Sequence, residues 1–137
     1  MLAPIVMTHG AFCGGWAFED FRKPFEAAGH TVLAPDLRGH GLGDRADAVV
    51  GVSMTDYARD IAELCAAQSQ PAILMGHSLG GLVAALAARK TRVRAVVLLA
   101  PSAPGAWPLR RWKRRSPRSA CTCSAPSGRR AWPLTPA

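Results

Sequence analysis

Residues 72–90 read AILMGHSLGGLVAALAARK, and this stretch decides the fold class. Ala72–Met75 is a short apolar run typical of a buried strand, and Leu79–Lys90 is rich in alanine and leucine, which favour a helix. Between them lies Gly76-His77-Ser78-Leu79-Gly80, a G-x-S-x-G sequence at a strand-to-helix turn. Such a turn lifts the serine side chain clear of the sheet and strains its backbone. Ser78 is therefore a candidate nucleophile.

The neighbours of Ser78 fit this interpretation. Gly76 and Gly80 lack a Cβ, so the strand and the helix can pass close to each other. The helix N-terminus at Leu79 directs free N–H groups toward negative charge that develops on a substrate oxygen. We expect His77 to pack away from the site as a structural residue. The alternative is a glycine-rich turn with an incidental serine, but the strand–turn–helix context favours the nucleophile.

The rest of the first hundred residues alternates short apolar runs with helical patterns. Strands joined by helices of this length are parallel, with right-handed crossovers and helices on both faces of the sheet. The pattern therefore predicts an α/β fold. The predicted order is strand Ile5–Thr8, helix Glu19–Ala28, strand Thr31–Ala34, helix Ser53 to about Gln68, strand Ala72–Met75, helix Leu79–Lys90 and strand Val93–Ala100.

The net charge of +8 is confined to the end of the chain. Residues 1–106 hold nine basic and nine acidic residues, whereas residues 107–137 hold eight basic residues and no acidic one. The second segment has no apolar periodicity and contains five of the eleven prolines. Such a segment cannot bury enough surface to offset its ordering entropy. We predict a domain over residues 1–106 and a disordered basic tail over residues 107–137.

Two explanations of the tail remain open. An abrupt change near Gly105 to Arg, Pro, Ser, Ala, Trp and Cys is typical of a reading-frame error or truncation in a GC-rich gene, and we prefer this hypothesis. The alternative is a basic tail that binds nucleic acid, acidic membranes or a partner through clustered Arg and Trp. We do not expect nucleic-acid binding by the tail.

The four cysteines predict neither disulfides nor a metal site. Cys13 and Cys65 lie far apart in sequence, which indicates reduced thiols and a cytoplasmic setting. Cys121 and Cys123 have no second pair or downstream His to complete a metal site. A signal peptide and an apolar run long enough to span a membrane are not found either.

Three motifs together resemble one family. His9-Gly10-Ala11 resembles the H-G-x oxyanion segment of the α/β-hydrolases, and Pro35-Asp36-Leu37-Arg38-Gly39-His40-Gly41 resembles their D-x-R-G-x-G turn. The sequence Gly76–Gly81 resembles their nucleophile elbow. The three motifs occur in the family's order and cover roughly residues 3–105. The resemblance is to the serine esterase and lipase-like branch, and it covers the N-terminal half of that fold only.

The resemblance implies a role for each matching residue. Ser78 would form an acyl-enzyme, and the backbone N–H of Leu79 would be one oxyanion donor. The second donor would be the N–H of Ala11 or Phe12. Asp36 would stabilise its own turn, and His40 would be a solvated turn residue. The residues expected to shape the site are His9, Gly10, Gly76, His77 and Gly80.

The rest of the catalytic triad has no candidate after Ser78. In this family the order is Ser, then Asp or Glu, then His. Residues 79–137 contain no Asp, Glu or His, and the last carboxylate and last histidine are Glu63 and His77. Because a serine hydroxyl without a base is a poor nucleophile, we expect this chain to be nearly inactive.

The predicted function is that of a serine hydrolase acting on a small-molecule ester, thioester or similar carbonyl compound, without a metal or organic cofactor. Lyase chemistry on the same elbow stays open, as does a non-catalytic module that binds a ligand without turnover. The sequence carries no indication of oligomeric state. Missing neighbours beside four parallel strands would expose an apolar sheet edge, which predicts poor solubility.

Overall fold

The computed structural model describes residues 2–102, and the elements found there follow the predicted order. Short 3-10 turns at Gly15–Phe18 and Ala46–Val49 precede the first and second helices. The predicted tail at residues 107–137 lies outside the described residues. The strands are β1 (Ile5–Thr8), β2 (Val32–Leu33), β3 (Ile73–His77) and β4 (Ala95–Leu99), and the helices are α1 (Glu19–Ala27), α2 (Met54–Ala66) and α3 (Leu79–Ala87).

The four strands form one parallel sheet in the order β2-β1-β3-β4. Ile5 of β1 is in register with Val32 on one side and with Ile73 on the other, and Ile73 is in register with Ala95. All carboxyl ends of the strands therefore meet at one edge of the sheet, where ligand sites of open α/β sheets lie. The loops after β1, β2 and β3 carry the three sequence motifs, and they share this edge.

Helices cover both faces of the sheet, as predicted. On one face, Val6 and Leu74 pack with Tyr57 and Ile61 of α2 and Val83 of α3. On the other face, a second cluster forms around the 3-10 turn before α1 and includes Ile5, Met7, Phe18, Val32 and Met75. Every residue of β1 is buried because both of its faces are covered. This explains why Ile5, Val6 and Met7 form a continuous apolar run rather than an alternating pattern.

The helices are shorter than predicted, and their ends have local causes. Ser53 caps α2 in a capping box with Asp56, as the sequence indicated for its start. After α3 ends at Ala87, the Lys90 N–H bonds the Ala87 carbonyl at 2.8 Å, so the chain continues as a tight turn. The predicted end at Lys90 is therefore about one turn too late.

The strand β4 is an open edge within residues 2–102. It pairs with β3, and no described strand pairs with its other side. Val96 and Leu98 are 38% and 44% exposed although the strand sequence is AVVLL. A continuous apolar sequence therefore accompanies burial on both faces in β1 but not in β4.

Candidate active site

Ser78 has the backbone of a nucleophile elbow. It lies between β3 and α3 with φ 52° and ψ −118°, a conformation that costs a non-glycine residue about 1–3 kcal/mol. Its N–H donates to the Leu99 carbonyl at 3.0 Å, and its own carbonyl accepts from the N–H of Ser102 at 2.9 Å and of Gly81 at 3.0 Å. These bonds tie the strained turn to β4 and to the chain that follows it.

Two glycines make the turn possible. A Cβ at Gly76 would lie 2.2 Å from the Gly80 carbonyl oxygen, and a Cβ at Gly80 would lie 2.2 Å from the Thr8 carbonyl oxygen. Both neighbours are backbone atoms, which cannot rotate away. The strand β3, the helix α3 and the end of β1 thus meet at a distance that only glycine allows.

Thr8 fixes the elbow from the neighbouring strand, a role that the sequence analysis missed. The side chain is fully buried at the carboxyl end of β1. Its hydroxyl lies 2.9 Å from the carbonyl of Gly80 and 3.2 Å from that of Met75, and it donates to this pair. The only signal in the sequence is a polar residue at the end of an otherwise apolar buried strand.

The loop after β1 passes directly beside the serine. A Cβ at the buried Gly10 would lie 3.3 Å from the Ser78 Cβ, so the two segments are in close contact. Ala11 and Phe12 follow and are exposed, and Phe12 has φ 60°. Sequence motifs that lie almost seventy residues apart are thereby brought together at one edge of the sheet.

Three backbone N–H groups beside the serine are free of acceptors from the described part of the chain. They belong to Leu79, at the N-terminus of α3, and to Ala11 and Phe12 in the loop after β1. Such groups at a helix N-terminus and in an adjacent loop are suited to bind negative charge. Their use as an oxyanion site remains a prediction.

His9 holds the loop after β1 through both ring nitrogens. Its Nδ1 donates to the Gly10 carbonyl at 2.8 Å, and its Nε2 accepts from the Leu37 N–H at 2.9 Å. The second bond requires an unprotonated Nε2, so the ring is neutral. Burial is the main cause that lowers the pKa of His9, and the positive charge of a protonated His40 would lower it further. A supporting role, rather than a chemical one, fits this geometry.

Asp36 acts on a different loop from the one predicted. Its carboxylate accepts a hydrogen bond of 2.6 Å from the Gly15 N–H, whereas we expected it to stabilise its own turn. The bond joins the turn after β2 to the loop after β1. Arg38 joins the same turn to α2, because its guanidinium donates to both carboxylate oxygens of Asp60. Both contacts anchor the loops that surround the candidate oxyanion segment.

Two expectations about histidines are wrong. His40 is half-buried rather than solvated, because its ring lies between that of His9, tilted at a centroid distance of 5.4 Å, and that of Tyr57, edge-on at 5.8 Å. His77 does not pack away from the site. It is exposed, and its Nδ1 would lie 3.2 Å from a Cβ at Gly10. The side chain of His77 therefore borders the loop beside Ser78.

Within residues 2–102, no cluster of three or more His, Cys, Asp or Glu side chains is arranged to hold a metal ion. Cys13 and Cys65 are free thiols, and burial raises the pKa of Cys65. In the same part of the chain, no helix has both the length and the apolar character needed to cross a membrane.

The fold agrees with the comparison with protein families. The model of the alpha/beta hydrolase family matches residues 5–137. The chain belongs to the alpha/beta hydrolase family. The sequence resemblance and the predicted fold are thereby confirmed.

Several relatives within the alpha/beta hydrolase family are named as hydrolases or esterases. A pyrethroid hydrolase of Sphingobium wenxiniae is 42% identical over 77 residues, which are 56% of this chain and 27% of that protein. Salicylic acid-binding protein 2 of Nicotiana tabacum is 38% identical over 103 residues, which are 72% of this chain and 39% of that protein.

Solved structures agree with these relatives. A pyrethroid hydrolase from Sphingobium faniae has a TM-score of 0.65 at 33% identity, over 74% of this chain and 40% of that one. Polyneuridine aldehyde esterase has a TM-score of 0.64 at 28% identity, over 76% and 42%. The chain thus spans from about a quarter to two fifths of the length of these proteins.

Proposed function

We propose that residues 2–102 carry the nucleophile and the oxyanion donors of a serine esterase. The observation that supports this most strongly is the φ of 52° at Ser78 together with the close approach of Gly10 to that residue. Strain of this kind persists only where surrounding contacts impose it, and it clusters at active sites. If the serine were incidental to the turn, neither the backbone strain nor the adjacent free N–H groups would be expected.

The proposed chemistry is acyl transfer. The Oγ of Ser78 attacks the ester carbonyl carbon, a C–O bond forms, and the negative charge moves to the former carbonyl oxygen. The N–H of Leu79 and that of Ala11 or Phe12 donate to this oxygen. When the tetrahedral species collapses, the bond to the alkoxy group breaks and the acyl-serine remains. Water then releases the acid.

A base must accept the Oγ proton in the first step, and this is why we propose little activity for the 137-residue chain by itself. The residues after Ser78 include no Asp, Glu or His. The neighbouring His77 has no hydrogen bond to the Ser78 side chain within the described residues. Without a base, only oxyanion stabilisation and substrate binding remain, which are a small part of the catalytic effect.

The substrate class that we propose is a small carboxylic ester. This rests on relatives named for ester cleavage, among them a carbendazim hydrolyzing esterase of Nocardioides that is 37% identical over 84 residues. Methylesterase 3 of Arabidopsis thaliana is 34% identical over 86 residues. A methyl or similarly small alkoxy group is the natural starting point for assays.

A non-hydrolytic reaction is the second candidate. Norfluorocurarine synthase 1 of Strychnos nux-vomica, whose name does not describe hydrolysis, is 38% identical over 85 residues. Identification of the products, rather than loss of substrate alone, separates the two reactions.

A chimera tests the proposed function. Residues 1–102 are joined to the C-terminal part of the Sphingobium wenxiniae pyrethroid hydrolase, which supplies the segment absent from the match. We expect release of acid and alcohol from p-nitrophenyl esters, abolished by Ser78→Ala and retained in Ser69→Ala, a change in an exposed loop. A folded chimera whose esterase activity survives Ser78→Ala would overturn the proposal.

A further inference from the structure

A cavity of about 410 Å³ opens beside the loop that follows β1. This volume lies within the range of small-molecule sites, about 300–1,000 Å³. One wall comes from the loop after β1 and the other from the segment after β2. The residues that define its character are Phe12, Cys13, Trp16, His40, Leu42 and Val49.

Each charged group in the wall of the cavity has one partner in the same segment. The Asp44 carboxylate accepts from the Gly41 N–H at 2.8 Å, and the Arg45 Nε lies 3.2 Å from the carboxylate of Asp47. The His40 Nδ1 donates to the Arg38 carbonyl at 3.1 Å. A ligand therefore meets apolar side chains and polar groups that already have partners. This favours an uncharged, apolar occupant.

The apolar wall is open to solvent. Phe12 is fully exposed, Leu42 is 89% exposed and Trp16 is 55% exposed. Contiguous exposed apolar side chains that border a cavity are typical of ligand-binding sites. Phe12 also has φ 60°, and its N–H is a candidate oxyanion donor.

We propose that this cavity binds the apolar, uncharged half of the ester whose carbonyl lies at Ser78. The proposal rests on the proposed function and adds a specificity site to it. Phe12 links the two, because its side chain lines the cavity and its backbone belongs to the loop that touches Ser78. An aromatic ester suits the aromatic and aliphatic walls, whereas the matching carboxylate would lose hydration against the same apolar side chains.

Binding to the intact 137-residue chain tests the cavity without any need for turnover. Equilibrium dialysis measures the affinity for ethyl 2-naphthoate and for the 2-naphthoate anion. We expect the ester to bind at least tenfold more tightly than the anion. Cys13→Phe, which fills the cavity, and Leu42→Asp, which charges its rim, should each weaken ester binding at least fivefold. Leu2→Asp is the matched control at an exposed apolar residue before β1.

The outcomes separate this proposal from the proposed function. Leu42→Asp should fold because position 42 is exposed. Unchanged ester binding in this variant would overturn the cavity assignment, and so would equal affinity for the ester and the anion. Circular dichroism of each variant shows whether it is folded. If Cys13→Phe does not fold, the binding result for Leu42→Asp alone tests the cavity assignment. The Ser78→Ala variant should keep full ester binding. Ester binding at the cavity, together with chimera activity that survives Ser78→Ala, would support the site and contradict the esterase.

Discussion

The Nε2 of His9 accepts a hydrogen bond of 2.9 Å from the backbone N–H of Leu37. This single contact joins the end of β1 to the turn after β2, and the other ring nitrogen donates to the carbonyl of Gly10. Protonation would turn Nε2 into a donor that faces another donor. The position of the loop beside Ser78 therefore depends on a neutral imidazole.

The first prediction is a loss of stability at acidic pH. The unfolded chain binds a proton at His9 near the ordinary pKa of 6.5, whereas burial lowers this pKa in the folded state. Below about pH 6.5 the unfolded state therefore binds more protons, and the free energy of unfolding falls as the pH decreases toward the folded pKa. The slope from this group is at most about 1.4 kcal/mol per pH unit.

Urea unfolding between pH 5 and 8 measures this dependence. His9→Gln removes the titrating group, so the difference in unfolding free energy between parent and variant should shrink as the pH falls below about 6.5. The same change at exposed His77 is the matched control. A parent and a His9→Gln variant with parallel pH profiles would show that the His9 ring does not govern stability in this range.

The second prediction concerns the contact between α3 and β1. Gly80→Ala would place a methyl group 2.2 Å from the Thr8 carbonyl oxygen, so the helix must move away from the strand. We expect a loss of at least about 3 kcal/mol of unfolding free energy. Gly51→Ala is the control, since it has open space at a φ of 77° and should cost only about 1 kcal/mol. Equal losses for the two variants would contradict the close approach.

The third prediction separates the effect of the Thr8 hydroxyl group from the effect of the side-chain volume. Thr8→Val keeps the volume but removes the donor to the carbonyls of Gly80 and Met75. We expect a loss of about 1–2 kcal/mol in unfolding free energy and slower reaction of Ser78 with a phosphonate. Thr8→Ser retains the hydroxyl and should recover most of the reaction rate. If Thr8→Val reacted at the parental rate, the hydroxyl would have no part in positioning the elbow.

The fourth prediction concerns the exposed edge strand β4. Its apolar side chains, and the backbone groups on the side that no strand within residues 2–102 pairs with, should promote association of chains. Val96→Lys combined with Leu98→Lys should raise the fraction of chain that stays in solution after centrifugation, because inserted lysines prevent edge pairing. Leu2→Lys with Phe21→Lys is a control of equal charge at other exposed apolar positions. An equal gain from the control would mean that net charge, not the edge, sets solubility.

Local patterns were sufficient to predict the element order and the elbow. The G-x-S-x-G sequence predicts its own turn, because the glycine spacing and the flanking strand and helix are all contained in nineteen residues, 72–90. Ser53 likewise predicts the start of α2 through a cap formed three residues further on.

Contacts between distant segments could not be predicted in this way. The Thr8 hydroxyl meets the Gly80 carbonyl from 72 residues away, and the Asp36 carboxylate meets Gly15 from 21 residues away. The burial of His40 depends on Tyr57, which lies on α2. The polar, glycine-rich turn around His40 therefore led to the wrong prediction that its side chain is solvated. Periodicity in the sequence indicates which face of a helix or strand is buried. It does not identify the polar groups of distant segments that contact that element.

Modification of Ser78 by a fluorophosphonate tests the central claim most directly. Peptide mapping by mass spectrometry compares the folded 137-residue chain with the same chain in urea, with Ser78→Ala and Ser69→Ala as variants. Because strain and oxyanion donors require the fold, we predict that Ser78 reacts on the order of tenfold faster in the folded chain, and faster than any other serine. Equal rates in the folded and urea-unfolded chains, or no adduct at Ser78, would contradict the account.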